Sequence, residues 1–425
     1  MSTVHDVVIF GGGQAGLSAS WQLTQRGIDH VVLERHATAH SWRSERWDSF
    51  CLVTPNWQCT LPGHAYSGDD PYGFMLRDDI VRYIEDYAAS FAAPVRSGVR
   101  VQSVRPTEGG YLVRSDAGSF SAGQVVIATG GYHDPIIPSY AAAIDPGILQ
   151  IQSSEYRNPH SMPKGSTLVV GTGQSGCQIA EDLHLAGRRV HLCVGEAPRV
   201  ARRYRGRDVV EWLHLMGYYD IPVDEHPLRE GVRDKTNHYV TGRDGGRDID
   251  LRLRANEGMQ LYGRLLDMRD GIARFAPDLA RNLDIADEVN ESIKRSIDGW
   301  IARNAIEAPT EAPYAPPWTP PVERTALDCR EAGITSIVWC IGFRMNFGWV
   351  EAPVFDERGL PRHRRGITGQ DGLYFLGLPW LHSWGSGRFS GIARDSEHVA
   401  DAIVRHLEQG RADAAELEEV GHTRS

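Results

Sequence analysis

Gly11, Gly13 and Gly16, with a carboxylate at Glu34, are the first residues whose types and spacing bear on chemistry. One glycine permits a tight turn, the next lets backbone approach a pyrophosphate, and the third lets a helix lie close on a strand. A dinucleotide site needs all of these. Glu34 follows the first glycine by 23 positions, where an acid would accept ribose hydroxyls. The spacing returns at Gly171, Gly173 and Gly176. There the same offset lands on Val194, and Arg199, Arg202, Arg203 and Arg205 follow. A missing carboxylate beside guanidinium groups suits a 2′-phosphate and favours NADP over NAD, with Glu196 as a competing acid. Gln14, Ala15, Gln174 and Ser175 complete the two loops and are counted with the glycines as cofactor-binding.

These loops need strands and helices to hold them. Apolar runs at residues 7–10 and 31–33 read as buried parallel strands around a helix that begins after Gly13. A second unit of the same kind begins at Leu168, with its second strand at residues 190–194. Between the units, Asp78 is expected to cap an amphipathic helix carrying Ile80, Ile84, Tyr87, Ala88 and Phe91. Residues 95–120 read as a small β-meander, and residues 125–127 as a further strand ending in Ala128, Thr129 and Gly130. Later, Ile285, Val289, Ile293, Ile297 and Ile301 predict a long helix over residues 284–306. The proline-rich residues 307–323 read as a connector back to the first unit. Residues 36–63 hold Trp42, Trp47 and Trp57 in an irregular loop, suited equally to stacking on a planar ring and to a satellite core. For His382, Trp384 and Arg388, reaching the ring of a cofactor and a structural role are both open.

Composition narrows the class. A chain of 425 residues can bury more than one core, and its net charge of −10 gives no reason to expect nucleic acid or an anionic membrane as partner. Six cysteines show no C-x-x-C pair and read as buried apolar side chains in a reducing compartment. The first strand starts within the opening residues, and no apolar run approaches the roughly twenty residues of a membrane span, so a cytoplasmic location is expected. No histidine or cysteine cluster has metal-ligand spacing, so no metal is assigned. One dinucleotide site suits a dehydrogenase. Two suit a flavoenzyme, with FAD in the first and a nicotinamide dinucleotide delivering hydride from the second.

The loops GGGQAG and GTGQSG, some 160 residues apart, resemble those of the class B flavoprotein monooxygenases. These comprise the flavin-containing, Baeyer–Villiger and N-hydroxylating enzymes, and bacterial flavin-containing-monooxygenase-like flavoproteins are nearest in pattern. VVIATGGYHDPIIPSY, IVWCIGFRMNF and GLYFLGLPWLHSWGSGRFSGIARDSEHVADAI are similar to further family segments. The resemblance implies an α/β fold of two Rossmann-like domains, the NADP domain inserted into a discontinuous FAD domain with a small β-meander. It divides the chain into residues 1–160 (FAD), 161–325 (NADP, with a helical insertion) and 326–425 (FAD).

By position, it implies Glu34 on the adenosine ribose, Arg35 near the adenine, and Val101 meeting the adenine through its backbone. It puts Trp42 beside the flavin, Ala128, Thr129 and Gly130 on the first family ATG strand, and Gly377 at the flavin, with a helix from about Gly387 aimed at the ring. Asn56 stands for a family asparagine beside the isoalloxazine, and Gln152 falls where a family histidine would be; both are candidate catalytic residues. The implied activity uses FAD, NADPH and molecular oxygen. Reduced flavin would form a hydroperoxide and oxygenate a small-molecule nucleophile, an amine nitrogen or a sulfur rather than a ketone. The alternative is an FAD- and NAD(P)H-dependent oxidoreductase or oxidase without oxygen insertion. A homodimer is compatible with the resemblance.

Overall fold

The computed structural model describes residues 3–422. Strand Thr3–Phe10 buries Val7, Val8, Ile9 and Phe10 and lies parallel between His30–Glu34 and Gly118–Ile127. Val95–Ser97 extends this sheet beyond His30–Glu34, and Leu373–Phe375 extends it beyond Gly118–Ile127. The chain thus returns some 245 residues later to complete its first sheet. Such parallel strands, covered on both faces, read as continuous apolar runs, as the sequence has them.

The meander forms from Val101–Thr107, Gly110–Ser115 and Gly118–Ile127. Its last strand and the separately expected strand at residues 125–127 are one element of ten residues. The first part alternates in burial, while residues 124–127 are buried throughout because parallel neighbours flank them. The meander signature and the core-strand signature therefore meet within a single strand.

A second parallel sheet runs in the order Leu149–Gln152, Ile334–Trp339, Ser166–Val170, Arg189–Cys193, Gln260–Tyr262. Its membership differs from the division read from sequence. Leu149–Gln152 and Ile334–Trp339 belong to it although they lie outside residues 161–325, and Ala326–Asp328, also outside, pairs antiparallel with Ile272–Phe275 in a separate small sheet. The proline-rich connector accordingly leads into the second unit rather than back to the first. Parallel pairing is long-range, so local composition does not reveal which sheet a strand joins.

Two helices also differ from expectation. Arg77–Ser90 begins before Asp78, and Asp79 Oδ2 accepts from Leu76 N at 3.3 Å. The long helix spans Leu279–Arg303, gaining a first turn in which Leu279, Asn282 and Leu283 are buried. Buried asparagines had hidden that turn from the apolar stripe.

The loop after His30–Glu34 fastens one unit to the other. Trp47 enters the second core, Asp48 N donates to Arg157 O at 2.8 Å, and Ser49 Oγ donates to the buried Asp182 at 2.7 Å. Tyr156 Oη and Arg243 Nη1 donate to the same carboxylate at 2.7 and 2.8 Å. No helix among the described residues is long and apolar enough to cross a membrane.

Candidate dinucleotide sites and the seam between them

Both glycine loops are built by the same contacts. Gly11 has φ +107° and Gly171 φ +104°, and an added Cβ would stand 2.6 Å from Ala128 O in the first and 2.6 Å from Cys340 O in the second. At the third glycine, a Cβ on Gly16 would meet Gly11 O at 1.9 Å, and one on Gly176 would meet Gly171 O at 2.0 Å. No side chain occupies these positions without moving backbone. Gly11 N donates to Leu33 O at 2.9 Å and Gly171 N to Cys193 O at 3.1 Å, fixing each loop to its second strand.

Helices Gln14–Gln25 and Gln174–Leu185 start from Gly13 and Gly173 without any side-chain cap. Their first N–H groups and the positive end of the dipole therefore face outward, as an anion requires. Nothing lies within 4 Å of a Cβ built on Gly13, and on Gly173 only the Thr236 methyl comes within 3.9 Å. Backbone at both points is open to a phosphate group.

Around the first loop, Glu34 Oε2 accepts from Gly12 N at 2.7 Å and Oε1 from His36 N at 2.8 Å. The carboxylate is thereby aimed along the loop and retains acceptor capacity. Val99 N donates to Glu34 O at 2.9 Å, which sets Val101 near that strand end. Exposed Arg35 donates from Nε to His36 Nε2 at 2.8 Å. Gln14 ties the wall together: its Oε1 accepts from Trp42 Nε1 at 3.2 Å and its Nε2 donates to Gly387 O at 3.1 Å. Trp42 stacks on Phe389 at 5.6 Å. Gly377 (φ +79°) leaves only 2.5 Å between a built Cβ and the Ala15 Cβ, so the terminal segment lies directly on the first helix. The terminal helix is Ile392–His422; Gly387 belongs to the turn before it, not to the helix expected from about that residue.

Some buried polar atoms without partners lie beside the loops. Gln58 Oε1 and Ser390 Oγ are such atoms beside the first loop's wall, where Thr60 N and Oγ1 donate to Phe389 O. Gln152 Oε1 is another, at the end of a strand in register with Trp339, itself in register with Val170 before the second loop. Buried polar groups rarely go unsatisfied, so each invites a ligand contact. The residues present thus fit a dinucleotide at both loops. Gln58 and Ser390 carry no sequence signal; only their burial singles them out.

The structure corrects several expectations. Asn56 is buried, donates from Nδ2 to Asp70 O at 2.9 Å and accepts at Oδ1 from Met75 N at 2.8 Å. Its side chain pins the loop at residues 70–75. Arg199 and Arg202 are also buried, and their charges are engaged within the protein. Arg199 Nε lies 2.6 Å from Asp287 Oδ1 with its guanidinium over the Tyr314 ring. Arg202 donates to Val53 O at 2.7 Å and pairs with Asp208 at 3.0 Å. Arg203 is exposed, on a two-residue strand paired with Arg207–Asp208.

At the end of the second strand, Val194 is buried and its carbonyl accepts from Asn282 Nδ2 at 2.9 Å. The adjacent exposed pair is Glu196 with Arg281, at 3.1 Å. Arg281 sits on the helix gained at residues 279–283, far along the chain, where spacing from the glycines does not reach. Ala128 is buried with its N–H on Phe10 O at 2.9 Å, while Thr129 is exposed and Gly130 turns with φ +74°. All six cysteines are buried and unpaired, and burial pushes the Cys59 thiol up to about 12. A cleft of about 340 Å³ lies elsewhere, lined by Asp48, Cys51, Phe74 and residues 242–245 and by no member of either loop.

A family model described as pyridine nucleotide-disulphide oxidoreductase matches residues 8–214. An uncharacterized oxidoreductase CzcO-like of Geobacillus kaustophilus is 28% identical over 96% of this chain and 100% of its own. Indole-3-pyruvate monooxygenase YUCCA1 of Oryza sativa subsp. japonica is 31% identical, over 47% of this chain and 50% of its own. The flavin-containing monooxygenase of Stenotrophomonas maltophilia shares the fold with TM-score 0.64 at 18% identity, covering 95% of this chain and 99% of that one.

Proposed function

We propose that this oxidoreductase, whose resemblance to the class B flavoprotein monooxygenases those likenesses bear out, uses FAD and NADPH to oxygenate a small-molecule amine or sulfide. The observation that carries the reading is the second glycine unit, open at Gly173 and built by the same glycine contacts as the first. A chain with one dinucleotide has no use for it.

The residues have separate tasks. Gly11, Gly13 and the first helix N-terminus bind a flavin dinucleotide, with Glu34 on its ribose; Trp42, Phe389 and Gln14 wall the ring from water. Gly171, Gly173 and the second helix N-terminus bind the nicotinamide dinucleotide, with Arg281, rather than the buried Arg199 and Arg202, meeting a 2′-phosphate. The bound flavin, reduced by the nicotinamide, supplies activated oxygen, and the protein orients it and excludes solvent. Unpaired, buried thiols disfavour the disulfide-exchange chemistry that the matching family model's description carries.

The test is isotopic. Holoenzyme, NADPH and ¹⁸O₂ are mixed with trimethylamine, dimethyl sulfide or 3-(methylthio)propionate as probes. One labelled oxygen per product and per NADPH is expected. NADPH oxidation that sends every electron to peroxide, with no label in any product, would favour an oxidase or reductase.

A further inference from the structure

The arginines most withdrawn from solvent among the described residues are paired with acids: Arg199 with Asp287 at 2.6 Å, Arg202 with Asp208 at 3.0 Å, Arg252 with Asp284 at 2.6 Å, and Arg254 with Glu181 at 3.1 Å. That is the usual condition, because an uncompensated guanidinium in low dielectric is costly. Two partly buried arginines beside the first loop's wall lack such a partner, as do Arg157 and Arg188, which spend their donors on backbone carbonyls. Arg46 lies over the rings of Trp42 and Phe50, at 5.2 and 5.6 Å from their centroids. Its one hydrogen bond goes to Glu45 O at 2.9 Å, and the Glu45 carboxylate acts on it only from beyond ion-pair distance. Arg388 stacks 4.0 Å from the Trp384 ring centroid and donates to Trp384 O and, at 2.9 Å, to Asn237 Oδ1. Neither forms an ion pair among the described residues. Burial lowers both guanidinium pKa values from their usual range.

A chain of contacts links the two groups. Trp42, beneath Arg46, stacks on Phe389, the neighbour of Arg388. Tyr132 belongs to the link that leaves the first unit, and its ring meets Phe343 on the returning link at 5.7 Å. Asn237, held by Arg388, adjoins Thr236, whose methyl faces Gly173. Arg46 and Arg388 therefore stand at the seam where the flavin wall and the second loop approach each other. A guanidinium offers five N–H donors in a planar fork, and most of those on this pair are uncommitted within the protein.

We propose that Arg46 and Arg388 form a subsite for a carboxylate on the substrate, so that the protein selects acidic small molecules. The word substrate rests on the oxygenase reading; the anion subsite does not. The aromatic faces of Trp42, Phe50 and Trp384 hold the guanidinium planes still, which favours a forked contact over a diffuse one. The other anion within reach is a phosphate of the nicotinamide dinucleotide, and the experiment separates the two.

Calorimetry on oxidised holoenzyme, without turnover, compares acids with their neutral amides: propionate, 3-(methylthio)propionate and phenylacetate. At least one acid is expected to bind about tenfold or more tightly than its amide, in line with loss of a charge-assisted contact. Arg46→Gln and Arg388→Gln are each expected to remove that preference while leaving amide and NADPH affinity unchanged. Arg46→Lys should restore part of it, keeping charge without the fork. No acid preference in any wild-type pair would overturn the proposal. So would glutamine variants that weaken NADPH binding instead, which would give the arginines to the dinucleotide. If a glutamine variant loses its flavin and fails to fold, the wild-type preference and the lysine variant still decide. Because no oxygen is transferred, failure of isotope incorporation leaves this result standing.

Discussion

The two glycine units are nearly superposable in their backbone logic and differ in what closes them. The built Cβ positions at Gly11 and Gly171 meet carbonyls at the same 2.6 Å, and those at Gly16 and Gly176 at 1.9 and 2.0 Å. Past the second strand, however, the first unit presents Glu34, which bonds back to Gly12 N. The second buries Val194 under Asn282 and leaves Glu196 with Arg281 at the surface. Steric necessity holds the phosphate-facing half constant, because only backbone without Cβ fits there. Chemistry varies the ribose-facing half, where side chains choose the nucleotide.

Breaking the shared half should cost most. Gly16→Ala is expected to yield protein without flavin, since a Cβ cannot share space with Gly11 O. Gly176→Ala should keep the flavin absorbance yet leave it unbleached by NADPH under anaerobic conditions. If both variants lose flavin, or both keep NADPH reduction, the division of cofactors between the units is wrong.

The next largest effect concerns stability rather than binding. Removing Arg202 leaves Asp208 partly buried without its partner, so Arg202→Met should lower unfolding free energy by about 3 kcal/mol in urea titration. The NADPH-to-NADH preference of the surviving protein should not change. Arg281→Ala should do the reverse, with stability within about 0.5 kcal/mol of wild type for an exposed pair. Its KM for NADPH should rise about tenfold while that for NADH holds. A preference that followed Arg202 instead would return the 2′-phosphate to the buried arginines.

Much of the fold and part of the site was legible in the sequence for local reasons. Glycine spacing, the apolar runs around it and the alternation in the meander are properties of a few consecutive residues. The expected two-unit α/β fold is the fold found. Motif position says nothing of hydrogen bonding, and the engagement of the Asn56 amide by Asp70 and Met75 is visible only in the fold. A run of guanidiniums looks the same in sequence whether solvated or paired, and the acid partners of Arg199 and Arg202 come from the fold. Arg46, Gln58, Ser390 and Arg281 carry no spacing signal and emerge only from what surrounds them.

The sequence by itself determined that there are two dinucleotide loops and that the first strand of each unit lies buried, because steric exclusion and apolar periodicity act within a few residues. Tertiary structure decided which sheet the strands at 149–152, 326–328 and 334–339 join, and which arginines are balanced by acids. It also brought Trp42, Phe389, Arg46 and Arg388 together at one seam. Pairing across hundreds of residues, and the desolvation that comes with it, depend on neighbours the chain supplies only after it has folded.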